Sequence, residues 1–195
     1  MKKIIFLLLF LNFLNFSKAQ ENSELKIGIG DAGFYDVIFN LENAMMSVID
    51  QIFTGNHRVS NVDMDFPLLF VDYRLPISDR MKVGGQFGYF GYSGTSSTYN
   101  SQNILIQQHD INSSIFILMP GLDYRYYQRN KFKLYGNIMV GVAFTNYKFD
   151  NDSDSDANFI FQINPLGVSF GDRTAFFAEL GLGISLANAG VKFKL

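Results

Sequence analysis

Cysteine and tryptophan are absent from the 195 residues, histidine occurs twice, proline four times, and charged residues make up only 17%. Each shortage excludes something. Without cysteine there is no disulfide scaffold, no thiolate metal site and no thiol for lipoprotein acylation. A net charge of −2 leaves no basic footprint, so nucleic acid is not an expected partner. Beyond the N-terminus no stretch approaches 18 consecutive apolar residues, which excludes a transmembrane helix there. Disorder is excluded as well, because it needs low hydrophobicity and a large net charge, and this chain is 48% hydrophobic. What is plentiful is phenylalanine, 21 residues, and tyrosine, 10, in a chain whose charge falls below the ~25% of ordinary soluble domains. The length fits one domain with room for a core.

Residues 1–19 read as a cleaved secretory signal peptide. Lys2 and Lys3 form a positive start, and residues 4–16 are apolar apart from Asn12 and Asn15. Ser17 and Ala19 place small residues at the −3 and −1 positions before Gln20. The apolar run is too short for the ~17–25 residues of a membrane-crossing helix. Cleavage removes Lys2, Lys3 and Lys18, so Lys+Arg falls from 16 to 13 against 18 acids, a mature charge of −5.

Residues 20–195 are dominated by alternation of period two. Phe132, Leu134, Ile138, Val140, Val142 and Phe144 share one face, opposite Lys133, Tyr135, Asn137, Met139, Ala143 and Thr145. Val83, Phe87 and Tyr89 stand opposite Lys82, Gly84, Gln86 and Gly88. Phe116, Leu118, Leu122, Tyr124 and Tyr126 stand opposite Asp123 and Arg125, and Phe176, Ala178, Leu180, Leu182 and Ile184 opposite Phe177, Glu179, Gly181 and Gly183. Leu25-Ile27-Ile29 and Val191-Phe193-Leu195 are shorter runs of the same kind. Parity switches near 68–71 and near 164–166, where Pro67 and Pro165 allow a bulge.

Eight strands result, at 24–30, 64–75, 81–93, 113–127, 131–149, 159–170, 174–186 and 189–195. Short turns at 76–80, 128–130 and 171–173 alternate with longer polar connections at 31–63, 94–112 and 150–158, and Ala187-Asn188 makes a short last connection. With an even strand count the short turns share one end with both termini. That asymmetry is the layout of an outer-membrane barrel. The second face separates it from a soluble barrel. A water-facing wall needs Lys, Glu and Asp, whereas Gly, Ala, Asn, Ser, Thr and Tyr suit a narrow polar lumen. Tyr92, Tyr126, Tyr127, Phe144, Tyr147 and Phe149 fall where interfacial aromatic girdles are expected.

On these residues the chain resembles the small outer-membrane β-barrel family of the OmpA/OmpX type. The Ala19-Gln20 junction carries the resemblance, as do Leu75-Pro76-Ile77-Ser78 leading into residues 82–89, and residues 179–183 before Gly190-Val191-Lys192-Phe193. It covers 20–195 as a pattern, and departs from the family in ending on Leu195 rather than Phe, with Phe193 two residues earlier on the same face. The resemblance implies an all-β, eight-stranded antiparallel up-and-down transmembrane barrel in the cell outer membrane.

Candidate chemistry is sparse. His57 and His109 fall in expected loops, where His57 with Ser60, or His109 and Asp110 with Ser113 or Ser114, can be assembled on paper as base–nucleophile combinations. The acidic run at 150–156 fails as a calcium loop, since its sixth and twelfth positions hold Ser155 and Phe161 instead of Gly and Glu. No catalytic, cofactor or metal residue is assigned. Leu41, Ala44, Met45, Val48, Ile49 and Ile52 have helical amphipathic spacing, preceded by a stretch at 34–39 that would alternatively extend the first strand. Asp72, Arg74, Asp123, Arg125, Lys133 and Glu179 are charges of both signs on the lumen face, where they must pair or bear a desolvation cost. The expected role is non-enzymatic, structural or surface-interacting through the outer loops, with outer-membrane lipids and an extracellular protein or surface ligand as partners. A narrow-pore channel and a lipid-modifying enzyme at the rim are the alternatives.

Overall fold

Glu24, Lys26, Gly28 and Gly30 alternate with Leu25, Ile27 and Ile29, and this short amphipathic segment is the strand that closes the molecule. The structure, a computed structural model, describes residues 23–149 and 152–195. The expected signal peptide lies outside the described residues. The elements are β1 (Glu24–Gly30), α1 (Gly33–Thr54), β2 (His57–Pro76), β3 (Met81–Tyr99), β4 (Leu105–Arg129), β5 (Phe132–Phe149), β6 (Asp152–Gly171), β7 (Thr174–Gly183) and β8 (Ala187–Lys194). Every strand pairs antiparallel with its neighbour in sequence, and β1 pairs with β8, so the sheet is a closed barrel. The short turns after β2, β4 and β6 lie at the end that holds both termini, where the Leu195 N–H donates to the Ser23 carbonyl.

The two parity switches are bulges. The β2–β3 register shifts between Phe66 and Leu69, around Pro67, and the β6–β7 register shifts between Ile163 and Leu166, around Pro165. Each inserts residues on one strand only, which resets the faces.

Three expectations are corrected. First, β2, β3, β4 and β6 are longer than the sequence indicated: residues 57–63, 94–99, 105–112 and 152–158 are strand, where loops were expected. They run past the ends of β1 and β7, where the apolar alternation that marks a strand is lost. Second, Ile184 is buried rather than outward, and the last connection is 184–186 rather than 187–188. Gly183 has φ 129°, a conformation that side chains disfavour, and it ends β7 and flips the parity. Third, residues 34–39 belong to α1 and do not extend β1. The amphipathic spacing is helical, but the helix is longer than its apolar stripe. It ends on Gly55 in the left-handed conformation, whose N–H donates to the Gln51 carbonyl. No helix among the described residues is long and apolar enough to cross a membrane.

Candidate functional site

Inside the barrel the residues sort into two layers. Toward the short-turn end they are charged. Lys26, fully buried, places its Nζ 3.0 Å from Asp123 Oδ2, 3.0 Å from Glu179 Oε1 and 3.7 Å from Asp72 Oδ2. The Arg74 guanidinium lies with Nε 2.7 Å from Asp72 Oδ1 and 3.3 Å from Asp123 Oδ1. The Tyr135 hydroxyl donates to Glu179 Oε1 at 2.7 Å, and the Lys26 ammonium sits 4.8 Å from the centre of its ring. Asn164 Nδ2 donates to Glu179 Oε2 and to Asn137 Oδ1, extending the network across β5, β6 and β7. Nearest the opening, Glu24 is shared by Lys82 at 2.7 Å, Lys133 at 3.5 Å and Lys192 at 3.5 Å.

Toward the other end the lumen is apolar. Leu68, Phe70, Phe90, Ile115, Ile117, Met119, Met139, Phe177 and Ile184 are all buried against one another. Gly28 leaves room for this layer: a Cβ there would lie 2.5 Å from Phe70 Cζ and 2.9 Å from Phe177 Cζ. Tyr92, expected in an outer aromatic girdle, is instead part of the filling. Its inward parity continues that of Phe90, and its hydroxyl donates to the Ala32 carbonyl at 3.4 Å where the chain leaves β1. Tyr126, Tyr127 and Phe144 face outward and Tyr147 is half-buried, while the Phe149 side chain lies outside the described ones.

Four of the six expected lumen charges, Asp72, Arg74, Asp123 and Glu179, are buried in the network. Arg125 and Lys133 lie at the opening. There Arg125 donates to the Asp79 carbonyl and to Gln128 Oε1. The sequence reading passed over Glu24, Lys26, Lys82, Lys192 and Tyr135 as members. Their signal was the parity of each strand: Glu24 and Lys26 alternate with Leu25 and Ile27, and Lys192 with Val191 and Phe193.

The wall has the reverse polarity of a soluble protein. Ile27, Val71, Phe87, Leu118, Ile138, Val142, Phe176 and Leu182 all point out, with Phe176 72% and Leu182 63% exposed. Monomeric soluble proteins rarely carry contiguous apolar patches above a few hundred Å². Here the apolar face encircles the barrel.

Beyond the rim, β2 to β6 continue as a five-stranded sheet. β1 pairs with β2 only up to Leu68, and β7 pairs with β6 only from Gln162. Residues 57–67 and 152–161 therefore form the edges of the projecting sheet. α1 packs against β2, whereas β7 stops short of the β6 edge. Asp152, Asp154 and Asp156 alternate with Ser153 and Ser155 on β6 and are paired with Phe149, Tyr147 and Thr145 of β5. From Asp152 the acidic run is thus strand, not the polar connection expected at 150–158, because the D-S-D-S-D alternation suits two solvated faces.

The two histidines are in strands. His57 stacks on Tyr99, ring centres 5.4 Å apart. His109 is the cross-strand neighbour of Ser96, which in turn stands opposite Ser60 with the hydroxyls 3.1 Å apart. Neither expected combination assembles. Ser60 is three residues from His57 and Ser114 is five from His109, so each lies on the opposite face of its strand; Ser113 shares the face of His109 but lies about 13 Å along it. Among the described residues no group of three His, Cys, Asp or Glu is placed to hold a metal ion.

At the projecting end Asp31 ties the two connections together. Ser185 Oγ, the Leu186 N–H and the Gly33 N–H all donate to its Oδ1, at 2.8, 2.9 and 3.2 Å. Partial burial opposes ionisation, but these hydrogen bonds outweigh it and hold the Asp31 carboxyl below the ordinary carboxylate range.

A closed, eight-stranded, antiparallel up-and-down barrel with short turns at one end, a polar layer inside and an apolar wall outside is the architecture of the small outer-membrane β-barrels. Two crystal structures of Ail, the attachment invasion locus protein of Yersinia pestis, match this chain. The one in complex with the heparin analogue sucrose octasulfate is 15% identical with a TM-score of 0.43. The other is 15% identical with a TM-score of 0.41, and each match covers 88% of this chain and 99% of the Ail chain. No protein-family model and no curated protein matches the sequence.

Proposed function

We propose that this protein is a non-enzymatic outer-membrane barrel that engages partners outside the cell through its projecting sheet. The apolar wall supports the membrane placement, and the two filled layers of the lumen favour an anchor over a pore. The observation that carries the surface role is the β6 edge at 152–161, which runs past the end of β7. An edge strand presents unpaired N–H and C=O groups that template another strand. Asp154 and Asp156 discourage self-pairing by like-charge repulsion and favour a partner that is extended and basic. The partner class is therefore a cationic, β-forming segment of another surface protein. An alternating Lys-Val peptide tests this: amide exchange should slow at 152–161 on addition, and Asp154→Asn with Asp156→Asn should weaken the effect. Protection appearing elsewhere, or none at saturating peptide, contradicts the reading.

A further inference from the structure

The charges in the lumen do not balance locally. In the inner cluster Lys26 and Arg74 face three carboxylates, Asp72, Asp123 and Glu179. At the short-turn opening the order reverses. A cavity of about 40 Å³ is lined by Arg80, Lys82, Arg125, Lys133 and Lys192, with Glu24 and Asp79 as the acids not already held by Lys26 and Arg74. Among the described residues five cations there meet three carboxylates, Glu24, Asp79 and Asp123, of which Asp123 is already held by Lys26.

The opening is also shaped for convergence. Lys82 and Lys133 are the second residues of β3 and β5, Lys192 lies near the end of β8 and Glu24 begins β1, so four strands aim charged side chains at one point. Lys82 and Lys133 both reach Glu24 Oε1, which holds the two ammoniums no more than about 6 Å apart. Lys192 is anchored from beneath by Ser169 Oγ at 3.1 Å and by the Tyr135 ring, 5.1 Å from its centre. Arg125 spends its donors on two neutral oxygens, of Asp79 and Gln128, so its charge has no carboxylate partner in those bonds. Glu24 is the carboxylate that the ammoniums of Lys82, Lys133 and Lys192 share, so a further anion placed among them is favoured. A water needs ~10–15 Å³ of such space, so the cavity has room for a group of several oxygens.

We propose that this opening binds a phosphate group, carried by a lipid headgroup of the adjoining leaflet or by a soluble phosphate ester. Lys82, Lys133 and Arg125 supply the charge-assisted hydrogen bonds, Lys192 closes the floor, and Glu24 competes with the ligand while holding the lysines together.

The test is inorganic phosphate titrated into the folded protein in maltoside micelles at low salt, followed by calorimetry and phosphorus NMR. Wild type should bind one phosphate saturably below about 10 mM. Lys133→Gln should weaken binding about fivefold, the order of a single partly exposed charge pair. Glu24→Gln should tighten it, a gain that a loss of fold does not produce, and Arg129→Gln, a cation outside the cavity, should leave it unchanged. No saturable binding, a Glu24→Gln that still folds and binds more weakly, or an Arg129→Gln effect equal to that of Lys133→Gln overturns the proposal. Repeating the titration in phosphatidylcholine nanodiscs with and without phosphatidylglycerol separates the sources: headgroups as ligand abolish phosphate uptake in the anionic discs, and a soluble ligand leaves it intact.

Discussion

Lys26 and Glu179 are 153 residues apart in sequence and 3.0 Å apart in space, joined across the barrel beneath the apolar layer. The pair ties the first strand to the second-last one across the lumen, at the centre of the polar network, while the β1–β8 ladder closes the barrel. Both side chains are buried, Lys26 to 1% exposure and Glu179 to 3%.

Breaking such a pair strands a charge. Lys26→Met leaves Asp72, Asp123 and Glu179 with Arg74 alone, and removing one partner of a buried pair typically costs ~3–5 kcal/mol. Urea unfolding in micelles should show a loss of that order. Combining Lys26→Met with Glu179→Gln should cost less than the two losses added together, because the partners no longer oppose each other unpaired.

Gly28 sits under Phe70 and Phe177, and any added atom must displace a ring that is itself packed. Gly28→Ala should destabilise the barrel by ~1–3 kcal/mol, the usual cost of overpacking, read as a lower thermal midpoint in micelles. Gly28→Ala combined with Phe177→Leu should recover part of it.

The alternation of period two made the strand count, the closed topology, both bulges and the buried Asp72, Arg74, Asp123 and Glu179 legible before any coordinates. It works where the outward face is apolar and the inward face is not. It fails above the rim, where Ser96, Ser97 and Thr98 are half-buried whichever face they are on and read as loop although they are strand. It fails at Gly183, because a backbone angle and not a side chain turns Ile184 inward. It also fails for Lys26, whose three partners come from β2, β4 and β7 and are brought together only by closure.

Asp31 predicts a local pH dependence. Its folded-state carboxyl ionises below the ordinary Asp value, ~3.9 in unfolded chains, so its contribution is fully present above that value. It is lost as pH falls through the lower folded value. Exchange of the Leu186 amide, corrected for intrinsic rates, should be slow at neutral pH and accelerate only in that acidic window. Asp31→Asn should flatten the profile, with faster exchange already at pH 7.

A lumen filled by Phe70, Phe90, Ile117 and Met139 above and by the ion-pair network below should not conduct. Purified protein in planar bilayers is expected to give no reproducible current steps at moderate voltage. Uniform steps that persist in fresh preparations contradict a filled interior.

The most direct test of the whole account uses the absence of cysteine, since single cysteines introduced along β4 take a spin label without background. In reconstituted vesicles, labels at Phe116, Leu118 and Leu122 should be accessible to oxygen dissolved in the hydrocarbon and shielded from a water-soluble nickel reagent. Labels at Ile117 and Met119 should be shielded from both. That two-residue alternation is the result the account predicts; nickel access at Phe116, Leu118 and Leu122 would show a wall facing water and contradict it.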